Sequence, residues 1–376
     1  MKEKFSLKDA LFNQERVEYL GKLFQAVDLD FNNKKFTLEV VKRFPELELK
    51  ARIVWIAEVL ERYLPSDPRQ AMTLIVATLP PPLDPALSDD DFGQFILAPL
   101  GEYVVRNGLN KKHLVQSLTT LHEITMRFSM EDAMRSFLNT FPEETFSAYD
   151  KWVRDKHYHV RRLVSESTRP LLPWSRRLTM DYHIPLQYLD HLYADRARYV
   201  TRSVANHLND ISKREPNLVV ATLSRWKKEG RQDPMELAWM TRHSLRTLVK
   251  QGNQAALTQL GYTDTTAVEV TKFTLEPTPR PHKRGDTIAV NCEVVATLDC
   301  VVMIDYVIDF VKAGGTQKPK VFKWKKFSLK AGETAVLTKN HHFKADATTF
   351  KLYPGTHTIT LQINGKKMNS FDILLS

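Results

Sequence analysis

Val160-Arg161-Arg162-Leu163-Val164, Val200-Thr201-Arg202-Ser203-Val204 and Met240-Thr241-Arg242-His243-Ser244 decide the fold of the first two-thirds of the chain. Arg162, Arg202 and Arg242 stand 40 residues apart twice, and an apolar helical run follows each time. A 40-residue helical period lies at the short end of the HEAT and armadillo range, in which helix pairs stack into a curved solenoid. The flanking sequence has the same character. Arg52-Ile53-Val54-Trp55-Ile56-Ala57-Glu58-Val59-Leu60, and Leu114 through Met126, place apolar residues at three- and four-residue spacing. Pro80-Pro81-Pro82-Leu83-Asp84-Pro85 must interrupt helix, since proline lacks the donor and clashes with the preceding turn. Helical pattern resumes near Phe92, so this segment reads as an inter-helix loop.

Past Gly261 the pattern changes to period two. Val268-Glu269-Val270-Thr271-Lys272-Phe273, Thr287 through Val294 and His357 through Ile363 read as half-buried strands. Lys283-Arg284-Gly285-Asp286, Ala331-Gly332-Glu333, Pro354-Gly355 and Asn364-Gly365 separate them, and Asn-Gly between alternating runs is a hairpin signal. About seven short strands in this tail suggest an immunoglobulin-like sandwich. The expected organisation is multidomain: an all-α HEAT-like-repeat solenoid over residues 1–262, followed by an all-β immunoglobulin-like sandwich over 267–376. Cys292 and Cys300 are too close in sequence to be the inter-sheet pair of an antibody domain, and read as ordinary thiols.

The 376 residues are 43% hydrophobic and 26% charged, enough apolar side chain for a core and too much for a disordered chain. Met1-Lys2-Glu3-Lys4-Phe5 leads into charged sequence without a signal-type apolar run, and no 18-residue apolar stretch follows. A cytoplasmic protein with no membrane contact is expected. The net charge of +10 is unevenly placed: −4 over residues 1–149, +9 over 150–250, −1 over 251–266 and +6 over 267–376. A basic block beside an acidic third is a candidate footprint for a polyanion; a solubilising surface explains the charge equally well. If Arg162, Arg202 and Arg242 each start the second helix of a repeat, they line one concave face that fits a nucleic-acid backbone. The competing reading pairs each arginine with a nearby acid such as Asp155 or Asp195.

Familiar catalytic signatures are absent: no phosphate loop, no H-E-x-x-H and no C-x-x-C. His157 and His159, at i and i+2, do not share a helix face, so no metal or cofactor is expected. What remains is carboxylates within basic sequence. Glu166 lies four residues after Arg162, on a helix that must end by Arg169 because Pro170 follows. Trp174, between Pro173 and a basic pair, occupies a loop position that core packing explains less easily. Asp210 sits near the end of the equivalent helix one repeat later, the unfavourable end of the macrodipole for an acid. Plainer roles exist for each: an Arg162–Glu166 helix pair, a Trp capping the core, an Asp capping the next helix.

Ser165-Glu166-Ser167-Thr168-Arg169-Pro170-Leu171-Leu172-Pro173-Trp174, then Val200 through Lys213 with its Ala205-Asn206-His207-Leu208-Asn209-Asp210 core, then Trp239-Met240-Thr241-Arg242-His243-Ser244-Leu245-Arg246, resemble the AlkC-type alkylpurine DNA glycosylases, HEAT-like-repeat relatives of the AlkD enzymes. The resemblance covers about residues 1–260, and one branch of that family carries an added immunoglobulin-like domain. Ser167 departs from the pattern, standing where Gly is expected. Upstream, Phe128 through Phe137 resembles a block of the form Phe-x-x-Glu-Phe-Ala-x-Arg-x-Phe, with Asp132 in place of an aromatic residue.

The resemblance implies base excision repair: removal of cationic alkylated bases, of the 3-methyladenine class, from duplex DNA by a monomer. A charged base is already a good leaving group, so strong general-acid help is unnecessary, and a carboxylate can stabilise the oxocarbenium-like transition state and orient water. It implies Glu166 as leading carboxylate, Asp210 and Glu131 as co-catalytic or positioning acids, and Trp174 as a contact to lesion or sugar, without a deep base-flipping pocket. Arg162, Arg169, Arg202, Arg242 and Lys213 are the expected DNA contacts of the helical part. In the sandwich, Lys318-Pro319-Lys320-Val321-Phe322-Lys323-Trp324-Lys325-Lys326 combines charge with an aromatic, so Lys323 and Lys325 are expected to reach DNA; lysines guarding an edge strand are the alternative. Alternation puts Val321, Lys323 and Lys325 on one side, and Phe322, Trp324 and Lys326 on the other. The rival function from another class is a non-catalytic repeat scaffold for nucleic acid or an acidic protein.

Overall fold

A computed structural model of the protein describes residues 6–89, 91–262, 267–277, 281–344 and 351–376. The extreme N-terminus and the expected junction near residue 265 lie outside the described residues. The chain divides into two compact units, one running up to Ile211 and including Trp226–His243, the other comprising Ser212–Arg225 and Ser244–Ser376. Among the described residues, no helix is long and apolar enough to cross a membrane.

The first unit is helical throughout. Three helices position the site: Glu131–Thr140, Tyr158–Ser167 and Arg198–Ile211. Each buries residues at three- and four-residue spacing, as in Val160, Leu163, Val164 and Ser167, and Val200, Val204, Leu208 and Ile211. The His157 imidazole caps the second of these helices, accepting from the His159 amide at 3.2 Å. Several side-chain hydrogen bonds across the helical unit span similar sequence separations. Arg161 to Asp195, Trp226 to Asp190, Ser203 to Glu166, Arg198 to Glu236 and His207 to Ser165 all join residues 34 to 42 positions apart.

The expected place near the start of a helix holds for two of the three arginines. Arg162 and Arg202 hold the same position, fifth in their helices, but the next helix is Pro234–Ser244, so Arg242 falls in its last turn. Helix Pro234–Ser244 starts early relative to the other two, so the 40-residue spacing does not carry over to a common place along the helix.

The proline-rich segment is the expected interruption, between helix Pro68–Thr78 and the short 3-10 turn Phe95–Leu97. It is sewn across the N-terminal ends of two site helices. His157 Nε2 faces the Leu83 carbonyl at 2.9 Å and His159 Nε2 the Asp91 carbonyl at 3.0 Å. The Tyr199 amide donates to the Ser88 carbonyl at 2.9 Å, Arg196 Nη2 to that of Pro85 at 3.0 Å, and Arg202 pairs with Asp89. Burial pushes His159 down to about 3, so it stays neutral as a structural tie.

The second unit contains a seven-stranded antiparallel sandwich: β1 (Val268–Glu276), β2 (Thr287–Ala296), β3 (Cys300–Val311), β4 (Gln317–Leu329), β5 (Thr334–His342), β6 (Gly355–Ile363) and β7 (Lys366–Leu375). One sheet has the order β1-β2-β5 and the other β4-β3-β6-β7. Ile288, Val290, Cys292 and Val294 of β2 alternate inward against Val302, Ile304, Tyr306 and Ile308 of β3, which is why the sequence reads with period two. Cys292 and Cys300 are buried free thiols. Asn364 and Gly365 both take positive φ, 44° and 79°, in the tight β6–β7 turn. Helices Arg246–Gln251 and Gln254–Gln259 belong to this same unit, because the backbones of Gly252 and Gly365 meet and Lys326 lies 4.6 Å over the Tyr262 ring.

Strand β4 is an edge strand, and its alternation breaks. Ile304 pairs with Lys325 but Asp305 with Lys323, so Trp324 is an extra residue in the ladder. Phe322, Trp324 and Phe327 all pack toward the core, and Lys325 and Lys326 are both exposed. The expected grouping of Lys326 with Phe322 and Trp324 is corrected by this bulge.

Candidate functional site

Three helices and one loop bring the predicted acids of the first unit together. Glu166 is buried on the Tyr158–Ser167 helix. Its Oε1 accepts from Arg169 Nη1 at 2.7 Å and faces Arg162 Nη2 at 3.5 Å, and its Oε2 accepts from Ser203 Oγ at 2.6 Å. Burial alone would raise its carboxyl, but Arg162 and Arg169 outweigh burial and hold it below the usual carboxylate range. Arg169 Nε also donates to Asp210 Oδ2 at 3.0 Å, so one guanidinium bridges the two motif acids. This contact sets a cation against an acid at the unfavourable end of its helix.

Glu131 joins from the first turn of its helix. Arg162 Nη1 lies 3.7 Å from Glu131 Oε2 and donates to Ser129 Oγ at 2.7 Å. The Arg162 guanidinium also stacks 4.4 Å over the Tyr199 ring. Glu131 Oε2 is buried without a hydrogen-bond partner, an acceptor left open in the middle of a charged network.

Arg162 and Arg169, expected as DNA contacts, are turned inward: their side chains are only 13% and 10% exposed and are committed to these carboxylates. Arg202 is half-buried against Asp89. Arg242, Lys213, Lys323 and Lys325 are exposed; Arg242 belongs to the first unit and the three lysines to the second.

Trp174 stands apart from the core, 76% exposed, with φ at 61°. A bulky residue in left-handed backbone is costly, on the order of 1 kcal/mol or more, and surrounding contacts must hold it there. Lys50 Nζ donates to its carbonyl. Trp174 and Glu131 both line a cleft of about 250 Å³ whose apolar wall includes Ile53, Phe95 and Phe128, with Glu102 and Asp132 also lining it. Glu166 is not among the residues lining this cleft; Arg162 links it to Glu131, which is.

His207 is buried behind Ser165, whose carbonyl its Nδ1 meets at 3.1 Å. Burial, helped by Arg169, pushes it down to about 4, so at neutral pH it carries no proton to give a leaving group. The site therefore offers negative charge, an open carboxylate oxygen and an exposed indole. Sequence reasoning missed Ser203, the hydroxyl on Glu166, and Arg135, which lies beneath the Trp174 loop. The only sequence signal for either was its place within a family-like motif.

A family model described as "Uncharacterised protein YhaZ, C-terminal Ig-like domain" matches residues 269–376. The whole chain is similar to the uncharacterized protein YhaZ of Bacillus subtilis (strain 168), 34% identical over 370 residues, covering 96% of this chain and 97% of that one. Among solved structures it is similar to the Pseudomonas fluorescens alkylpurine DNA glycosylase AlkC bound to DNA containing an abasic site analogue. There the TM-score is 0.85 at 34% identity, covering 99% of this chain and 100% of the other.

Proposed function

This chain belongs to the AlkC-type alkylpurine DNA glycosylases, in the branch with a C-terminal immunoglobulin-like domain, and we propose from that premise that it excises cationic N-alkylated bases of the 3-methyladenine class from duplex DNA in base excision repair. The observation that carries this reading is the full-length likeness to an alkylpurine DNA glycosylase, at 34% identity over 99% of the chain. The residues agree in their chemistry. The C1′–N bond breaks with both electrons leaving on the base, whose positive charge is thereby neutralised. The sugar becomes oxocarbenium-like, and the fixed negative charge of Glu166 and Asp210 stabilises it. Water adds at C1′ and gives its proton to Glu131, whose Oε2 accepts no hydrogen bond and is only loosely paired with Arg162. Trp174 supplies stacking or a cation–π contact to the charged lesion, worth about 0.5–2 kcal/mol.

Arg162 and Arg169 keep Glu166 ionised. Arg242, Lys213, Lys323 and Lys325 are the phosphate contacts, with Arg202 reaching DNA from beside Asp89. In this reading residues 1–262 form a HEAT-like glycosylase domain acting on an exposed lesion without a deep flipping pocket, and residues 267–376 add a second DNA-facing surface. The protein works as a cytoplasmic monomer at the nucleoid. The test is chromatographic detection of free 3-methyladenine after incubation with methylated duplex. Release above background is expected. Binding of that duplex with no release at any protein concentration would instead make the chain a non-catalytic scaffold.

A further inference from the structure

We propose that Arg135 is a positioning residue for excision, holding the Trp174 loop in register by gripping main-chain carbonyls at both its ends; this rests on the excision reading above. Arg135 is fully buried on the Glu131–Thr140 helix. Its Nε donates to the Arg176 carbonyl at 2.5 Å, and its Nη1 donates to those of Ser167 at 2.9 Å and Arg169 at 2.8 Å. These three carbonyls bracket the loop. Ser167 and Arg169 lie where the Glu166 helix ends, and Arg176 lies two residues past Trp174. One planar fork therefore fixes both ends of the segment that carries the indole.

Arg135 forms no ion pair with a carboxylate among the described residues, and its Nη2 has no hydrogen-bond partner. A buried cation answered only by carbonyl dipoles is an expensive way to fill a core. Burial pushes it down to about 10, still far above neutrality, so it stays cationic and donating. The neighbouring Asn139 continues the restraint, bonding the Arg177 carbonyl at 2.9 Å and the Thr179 amide at 3.0 Å. Together with Lys50 on the Trp174 carbonyl, these contacts supply what the left-handed backbone at Trp174 requires. Lysine keeps the charge but has a single ammonium and no fork, so it cannot satisfy carbonyls in these three places with the same geometry.

The experiment compares Arg135→Lys and Arg135→Gln with wild type in single-turnover excision from methylated duplex, affinity for abasic-site duplex, and hydrogen exchange of a 168–177 peptide. Arg135→Lys serves as the folded variant if Arg135→Gln does not fold. The expected result for Arg135→Lys is a rate loss of about tenfold or more, the scale of a small misplacement of a catalytic group. DNA affinity should stay within about threefold, because no phosphate contact is removed. Exchange should quicken at 168–177 but not in β6. In a Trp174→Ala background the further loss from Arg135→Lys should largely vanish, since both changes act through one indole. Wild-type excision by Arg135→Lys, unchanged loop exchange, or losses that simply multiply in the double variant would each overturn the proposal. A wild-type chain that releases no base would overturn the proposed function itself, a result distinguishable from all three.

Discussion

Replacing Arg169 by Gln tests whether the buried acids depend on shared cations. In the native site the Arg169 guanidinium is 2.7 Å from Glu166 and that of Arg162 is 3.5 Å away; at an effective dielectric of about 20 these attractions are about 6 and about 5 kcal/mol. Glu166 is buried, so both work against a standing desolvation cost. Arg169→Gln removes about half of the attraction and none of that cost, and it takes the Nε donor from Asp210. Breaking a buried pair from one side typically destabilises by about 3–5 kcal/mol, so a lower melting temperature is expected. The direction of the pH effect is fixed by the same balance. A carboxyl held low when folded stays ionised above its unfolded value and loses its charge only as pH falls through the lower folded value. Wild-type excision should therefore stay level through the mildly acidic range. With Arg169 gone, burial prevails, Glu166 takes up a proton at higher pH, and excision should fall on acidification and recover on return to higher pH. Single-turnover excision from pre-methylated duplex, measured from about pH 5 to 8, reads this directly. Parallel profiles for the two proteins would mean that Arg169 does not govern the charge of Glu166.

Trp174→Ala should leave the melting temperature nearly unchanged, because the indole is 76% exposed, yet slow excision by roughly two- to thirty-fold, the range of one cation–π interaction; a drop in melting temperature of many degrees would make the residue structural. The double substitution Lys323→Ser, Lys325→Ser should lower the slope of log affinity against log salt by about 1.8, at about 0.9 for each phosphate no longer neutralised; an unchanged slope would return β4 to edge protection. Gly252→Ala should lower the denaturant midpoint, costing about 1–3 kcal/mol, because a Cβ there would sit 2.2 Å from the Gly365 carbonyl oxygen at φ +74°. Gly230→Ala, with φ +63° but open space around it, should cost less.

The sequence carried local rules well and distant partners poorly. Period-two alternation in β2 and the Asn364-Gly365 turn are dictated by neighbours in the chain, so they were legible. So was the odd position of Trp174, flanked by Pro173 and a basic pair. Glu166 and Asp210 were marked by motif, and Arg169 between them is three residues from one acid and 41 from the other. What spacing could not show was direction. An arginine reads the same whether it faces phosphate or carboxylate, which is why Arg162 and Arg169 were expected on a DNA surface and are found inside. The Asp89–Arg202 pair joins residues 113 positions apart through a proline-rich strap that has no period to read. The early start of helix Pro234–Ser244 and the extra residue at Trp324 shift the phase of otherwise regular patterns, and such slips are set by packing partners rather than by local propensity.

Above all, carboxylates held inside a basic helical repeat are proposed to remove alkylated bases from DNA. Release of free 3-methyladenine from methylated duplex by wild type and by Glu166→Gln, measured beside their affinities for abasic-site duplex, puts that to the test. Wild type should release base, and Glu166→Gln should release little with DNA affinity nearly intact, because the buried carboxylate acts on the transition state and touches no phosphate. Undiminished release by Glu166→Gln would show that this carboxylate is not what breaks the bond.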